Sequence, residues 1–158
     1  MTGAGAGGSD RRSGPDAARR STRALLAAVA VSLALTAVHG AAHGWIPVPL
    51  ATWQQGYAAV VLVGLPLGGA TLVRLGRPAT GAAVALIGGL GALAFEVLAH
   101  FVVENPDHVA SVATGWTLFA GTAAFSVLGD AVLVTVAAWT LRTQPQGSSA
   151  RSCSDSTT

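Results

Sequence analysis

Lysine is absent from this chain. Its nine basic residues are all arginine, and only seven acids oppose them among 158 residues. A water-facing domain carries roughly a quarter charged residues; here 10% are charged and 51% are hydrophobic, with a mean hydropathy of +0.56. That balance excludes an ordinary soluble domain and makes the bilayer the expected solvent. Cysteine is nearly missing too. Cys153 stands alone in a Ser/Thr-rich tail, which excludes an intrachain disulfide and a thiolate metal cluster. There is no Walker A loop, no Rossmann glycine pattern, no serine nucleophile elbow and no HExxH zincin motif, so no reaction is assigned. The basic residues flank apolar segments instead of forming a domain face, which argues against nucleic acid as a partner.

What the chain does have is long apolar runs. Four are long enough to span: about 24–45, 57–75, 80–103 and 115–141. Each meets the need for roughly 20 mainly apolar residues, and helix is the fitting conformation because isolated strands leave backbone groups unsatisfied in lipid. The fold expected is all-α, a four-helix transmembrane bundle running up-down-up-down. The arginines set its direction. Arg11, Arg12, Arg19, Arg20 and Arg23 precede the first span, Arg74 and Arg77 lie between the second and third, and Arg142 and Arg151 lie at or beyond the end of the fourth. The positive-inside rule then predicts a multi-pass protein of the cell membrane with both termini cytoplasmic. Trp45, Trp53, Tyr57 and Trp116 fall at the outer boundary and Trp139 at the inner one, as interfacial aromatics do.

The flanks read as tails: 1–22 basic and rich in Gly and Ala, 142–158 polar, both too poor in apolar residues to offset ordering entropy. The domain between is 23–141. The arginines before the first span read as a topology signal that also suits anionic lipid heads. A cleaved signal peptide is a rival reading of the first span, since "GAA" before His43 has small residues where a peptidase needs them. The apolar run is long for such a peptide and continues into "WIPVPL", which favours a retained span.

The informative residues are the polar ones inside the spans. Ser32, Thr36, His39 and His43 share one face of the first helix; Gly81, Ala85, Gly89, Ala92, Glu96 and His100 share one face of the third; Thr122, Ser126 and Asp130 recur every four residues on the fourth. On the second, Gly64, Gly68 and Thr71 form the expected stripe, with a kink at Pro66. Small and polar stripes are what membrane helices turn toward one another.

Counting back from Pro47 and Pro106 at about 1.5 Å per residue puts His43 level with His100 and His39 level with Glu96, near the outer end. Buried Glu96 and Asp130 need partners, and His39 and His100 are the natural ones for Glu96. His39, His43, Glu96 and His100 form the candidate metal set. Imidazole and carboxylate suit zinc, iron or copper; four ligands would close a structural site, and three would leave a position for water or substrate. Other readings stay open. Haem could sit between His43 and His100, with Gly88, Gly89 and Gly91 giving it room. Glu96, His100 and Asp130 could relay protons or ions. The polar cluster could simply fix helix packing in a structural or accessory subunit, as a homo-oligomer or with a membrane-complex partner. In the loop after the third span, Glu104, Asp107 and His108 form either an outer lip that attracts cations or a hydrophilic turn, with Asp107 capping a short helix.

The stretches "HGAAHGWIPVPLATWQ" and "HFVVENPDHV" resemble a group of small four-span prokaryotic membrane proteins. These have a His-Gly-x-x-His end to the first helix and a His-Phe…Pro-Asp-His-Val segment after the third. The resemblance covers residues 38–109 and places His39, His43, His100, Asp107 and His108 at motif positions. It implies a four-span membrane protein and no particular reaction.

Overall fold

The computed structural model describes residues 13–144; side chains are described from residue 16 onward. Four long helices make up most of the described residues: α1 (Ser13–Trp45), α2 (Thr52–Arg74), α3 (Pro78–Val102) and α4 (Trp116–Thr143). A single 3₁₀ turn, Val109–Ser111, interrupts the loop between α3 and α4. Each helix is long and apolar enough to cross a membrane. Among the described residues there is no strand. This is a multi-pass, all-α membrane protein.

The first helix starts well before the expected boundary at residue 23. Residues 13–22 are helical, since Ala and Arg are good helix formers and Asp16 sits favourably in the first turn. Packing supports the extension: Ser21 is buried, accepts from Thr143 Oγ1 at 2.8 Å on its hydroxyl, and accepts from Thr140 Oγ1 at 3.2 Å on its carbonyl. The rest of the two expected tails, 1–12 and 145–158, lies outside the described residues.

Paired contacts give the topology. Along α1 and α4, Ser21 meets Thr140, Ser32 meets Asp130 and His39 meets Thr122, so these helices run antiparallel. Tyr57 donates to Gly91 O at 3.1 Å, while Gly69 touches Gly81, so α2 and α3 are antiparallel too. Ser126 meets Glu96 between α4 and α3. The bundle is therefore up-down-up-down, with α1 and α3 parallel and α4 packed against both.

Glycine sets the closest approach. A Cβ on Gly69 would stand 2.7 Å from Gly81 O and 2.9 Å from Ala85 Cβ, so α2 and α3 touch backbone to backbone. The turn after α2 is closed by Gly76 at φ 78°: Gly76 N–H donates to Val73 O and Arg77 N–H to Leu72 O, a Schellman arrangement.

The buried face of α2 is not the expected Gly64–Gly68–Thr71 stripe. Leu62, Pro66, Gly69 and Val73 face inward, while Gly64 and Thr71 are exposed and Thr71 Oγ1 merely donates back to Leu67 O. The cause is local. Residues Ala58–Gly64 form a π-helical stretch just before Pro66, which widens the helix and re-phases the turns beyond it. The stripe expected on α3 is buried throughout, from Gly81 to His100.

Large apolar side chains cover the outside, among them Val31, Val60, Ile87, Leu90, Phe125 and Leu128. On a soluble monomer such a surface would aggregate; around a bundle it is the lipid face. Arg19, Arg20, Arg23, Arg74, Arg77 and Arg142 are exposed at one end. Trp45, Trp53 and Trp116 are exposed at the other.

Candidate metal centre

Three imidazoles converge at the tryptophan-rich end. His39 and His43 project from the last turns of α1, and His100 from the last turns of α3. The Nε2 of His39 lies 2.6 Å from that of His100 and 3.3 Å from that of His43. The three residues each offer one ligand atom, all within 4.8 Å of one another. His39 and His100 are buried, and His43 is nearly so. Fully buried Phe119 of α4 lies against all three rings, with centroids 5.2, 4.9 and 5.6 Å away, and stacks on His100 at an interplanar angle of 14°.

Local structure aims these rings. His100 sits in a π-helical turn, Leu98–Val102, a distortion that concentrates at functional sites. Asn105 fastens the chain leaving that turn, its Nδ2 donating to Ala99 O at 2.9 Å and to Val103 O. On α4, Thr122 Oγ1 is 2.9 Å from Leu118 O and 3.0 Å from Phe119 O, so its hydrogen is spent on the helix backbone. Its lone pairs can then accept from His39 Nδ1, 3.0 Å away. With the Thr122 hydrogen on the backbone, that contact suits the tautomer protonated on Nδ1, which turns the Nε2 lone pair of His39 toward the cluster as metal-binding histidines require.

Asp107 corrects the expectation of an outer lip. Its side chain is 1% exposed, with Oδ1 3.3 Å from His43 Nε2 and 3.7 Å from His100 Nε2. Asn105 again explains this, because its Oδ1 accepts from Asp107 N–H at 2.7 Å and turns the chain inward. Nor does Asp107 cap the following turn. His108 does so, its Nδ1 accepting from Ala110 N–H at 3.1 Å. Glu104 is exposed and His108 half-buried, and neither joins the contacts of the three imidazoles. In the sequence Asp107 reads as a turn residue; the available signal was Asn105, whose side chain does the turn's work and frees the next carboxylate.

Glu96 lies one turn deeper. Its Oε1 accepts from Ser126 Oγ at 3.2 Å, and its Oε2 is 3.9 Å from His100 Nε2, farther than either contact of Asp107. Among the described contacts His39 pairs with His100 and not with Glu96. Asp130 is deeper still, its Oδ1 accepting from Ser32 Oγ at 2.8 Å. It shares α4's inward face with Ser126 and Thr122 and makes no contact with an imidazole among the described residues.

The glycines expected to make room for a macrocycle do not provide it. A Cβ on Gly88 would meet Leu65 at 2.8 Å, on Gly89 Val134 at 3.1 Å and on Gly91 Val61 at 2.6 Å. Neighbouring helices fill those places. A cavity of about 670 Å³ does open between the start of α2 and the far half of α3, lined by Trp53, Tyr57, Phe95 and Leu98, but no histidine borders it. It is an apolar groove on the bundle's side, separate from the imidazoles.

No protein-family model, no curated protein and no solved structure matches this chain. The fold and site define it by themselves as a multi-pass membrane protein carrying a buried cluster of three histidines with carboxylates, capable of coordinating a metal ion.

Proposed function

We propose that this protein binds one transition-metal ion through His39, His43 and His100, with Asp107 as the fourth ligand. One observation carries the reading: three imidazole nitrogens lie within 4.8 Å of one another in a buried setting, with the Asp107 carboxylate beside two of them. Tetrahedral zinc with bonds of about 2.0–2.1 Å spaces its ligand atoms by roughly 3.3 Å. The His39–His43 and His43–Asp107 separations are both 3.3 Å and His100–Asp107 is 3.7 Å, close to that spacing, while the 2.6 Å His39–His100 contact must open. The donor set is borderline-hard, without thiolate, and suits zinc or iron(II) best. Haem fits less well, because Phe119 and His39 fill the space a macrocycle's plane would cross.

Helix glue explains the cluster poorly. Buried polar groups that only hold helices together satisfy one another. Here the imidazoles lie within hydrogen-bond distance of one another, but both oxygens of Asp107 are buried without a hydrogen-bond partner. A cation at the Nε2 focus engages Asp107 and gives the crowded lone pairs a common partner. By the positive-inside rule the arginine end is cytoplasmic, which puts this site at the extracytoplasmic surface, where ions arrive from outside the cell.

The test is elemental analysis of detergent-purified protein after zinc loading and exhaustive desalting. The expected result is about one ion per chain, lost in His39→Ala and in His100→Ala. Zinc at background level in the loaded wild-type protein would end the proposal.

A further inference from the structure

Beneath the histidines the interior stays polar for two more helical turns. Glu96 and Asp130 are each 1% exposed, and no arginine lies within ion-pair distance of either among the described residues. Buried carboxylates in such a place need neutralising. Their serine partners are already committed: Ser126 Oγ donates to Glu96 Oε1 and Ser32 Oγ to Asp130 Oδ1. The other two oxygens, Glu96 Oε2 and Asp130 Oδ2, are buried with no hydrogen-bond partner. Protons on these atoms would be donors without acceptors. A cation would instead use the unspent lone pairs directly, and a divalent one balances both charges.

We propose that Glu96, Asp130, Ser32 and Ser126 form a second cation site, made of oxygen alone, that takes a hard divalent ion such as Mn²⁺ or Mg²⁺. It goes beyond the histidine site and has different chemistry. Carboxylate and hydroxyl oxygens favour hard ions, whereas imidazoles favour zinc. The two serines hold the carboxylates from neighbouring helices, Ser32 on α1 and Ser126 on α4, and Glu96 adds α3, so the site joins three helices. Its nearest point to the histidine cluster is Glu96 Oε2, 3.9 Å from His100 Nε2. Below Asp130 the interior closes on Leu25, Val29, Leu133 and Ala137, an apolar plug with no donor for an ion. The polar side chains thus run from Asp130 toward the histidine end.

Electron paramagnetic resonance tests this directly. Zinc-loaded protein in detergent is titrated with Mn²⁺, and loss of the six-line signal of the free aqua ion reports uptake. The expected result is saturable uptake of one Mn²⁺ per chain by the zinc-loaded wild type. Asp130→Asn and Glu96→Gln, which keep side-chain shape, abolish it; Ser32→Ala weakens it several-fold; Leu128→Ala, on the lipid face, retains it. No uptake by the wild type overturns the proposal, as does uptake that survives both carboxamide variants. If zinc fails to bind, the histidine reading falls alone, because the comparison of Asp130→Asn with wild type does not depend on zinc.

Discussion

The two halves of the bundle are built on opposite principles. At the arginine end the interior is Leu25, Ala28, Val29, Val73, Ala82, Ala85, Leu133 and Ala137 with uncharged Ser21 and Thr140 beside them, and α2 meets α3 through Gly69 and Gly81 with no side chain between. At the histidine end the interior holds His39, His100, Asp107, Glu96 and Asp130, all buried. The first half stabilises by close packing, which membrane helices gain from small residues. The second half places charge and lone pairs where lipid would never tolerate them unpaired. A chain needing only to span would repeat the first design along its length. The contrast teaches that the arginine half holds the helices and the histidine half uses them.

That division can be broken from either side. The largest expected effect is at the ligands: His39→Ala lowers zinc affinity by more than the roughly 100-fold that outer-shell losses reach, read by competition with a chromogenic chelator. The same variant shifts the melting temperature of the metal-free protein little. Gly69→Val does the reverse. Its added methyls have no room against Gly81 and Ala85, so it costs about 1–3 kcal/mol in detergent unfolding, while zinc affinity in the folded fraction is unchanged. Thr122→Val sharpens the comparison, since it removes only the acceptor that sets the His39 tautomer. Zinc affinity should fall by about 10–100-fold with little loss of fold. Acid gives the same division without a mutation. Ligating imidazoles must be neutral, so protons compete with metal and zinc occupancy falls as pH is lowered, while the arginine half has no ligand to protonate. The smallest effect belongs to the lipid face: Leu128→Ala, on exposed surface, changes unfolding by less than about 0.5 kcal/mol and zinc affinity not at all.

How far these features could be read in advance varied by residue for physical reasons. Helical periodicity carried Ser32, His39, Glu96, His100, Ser126 and Asp130 to the interior, because a side chain's face follows directly from spacing on a regular helix. It failed on α2, where the π-helical stretch before Pro66 turned Leu62 and Gly69 inward in place of Gly64 and Thr71. It had no purchase on Asp107, which belongs to no helix and is aimed by Asn105. Level was also less accurate than face. Rise per residue locates a Cα and not the ring beyond it, and His39 meets His100 instead of Glu96.

Composition alone determined the solvent: four apolar runs of spanning length leave helices in a bilayer as the arrangement that satisfies every backbone group. The count and placement of arginine and tryptophan distinguished the two ends, because those residues respond to the membrane surface and not to neighbours in the fold. Which atoms share a point in space was decided by tertiary structure. His39 and His100 lie on different helices, and Asp107 on a loop, so their meeting depends on how α1, α3 and α4 pack and on one asparagine that folds the chain back. A linear pattern records which face each residue takes; the distance between faces exists only once the helices are assembled.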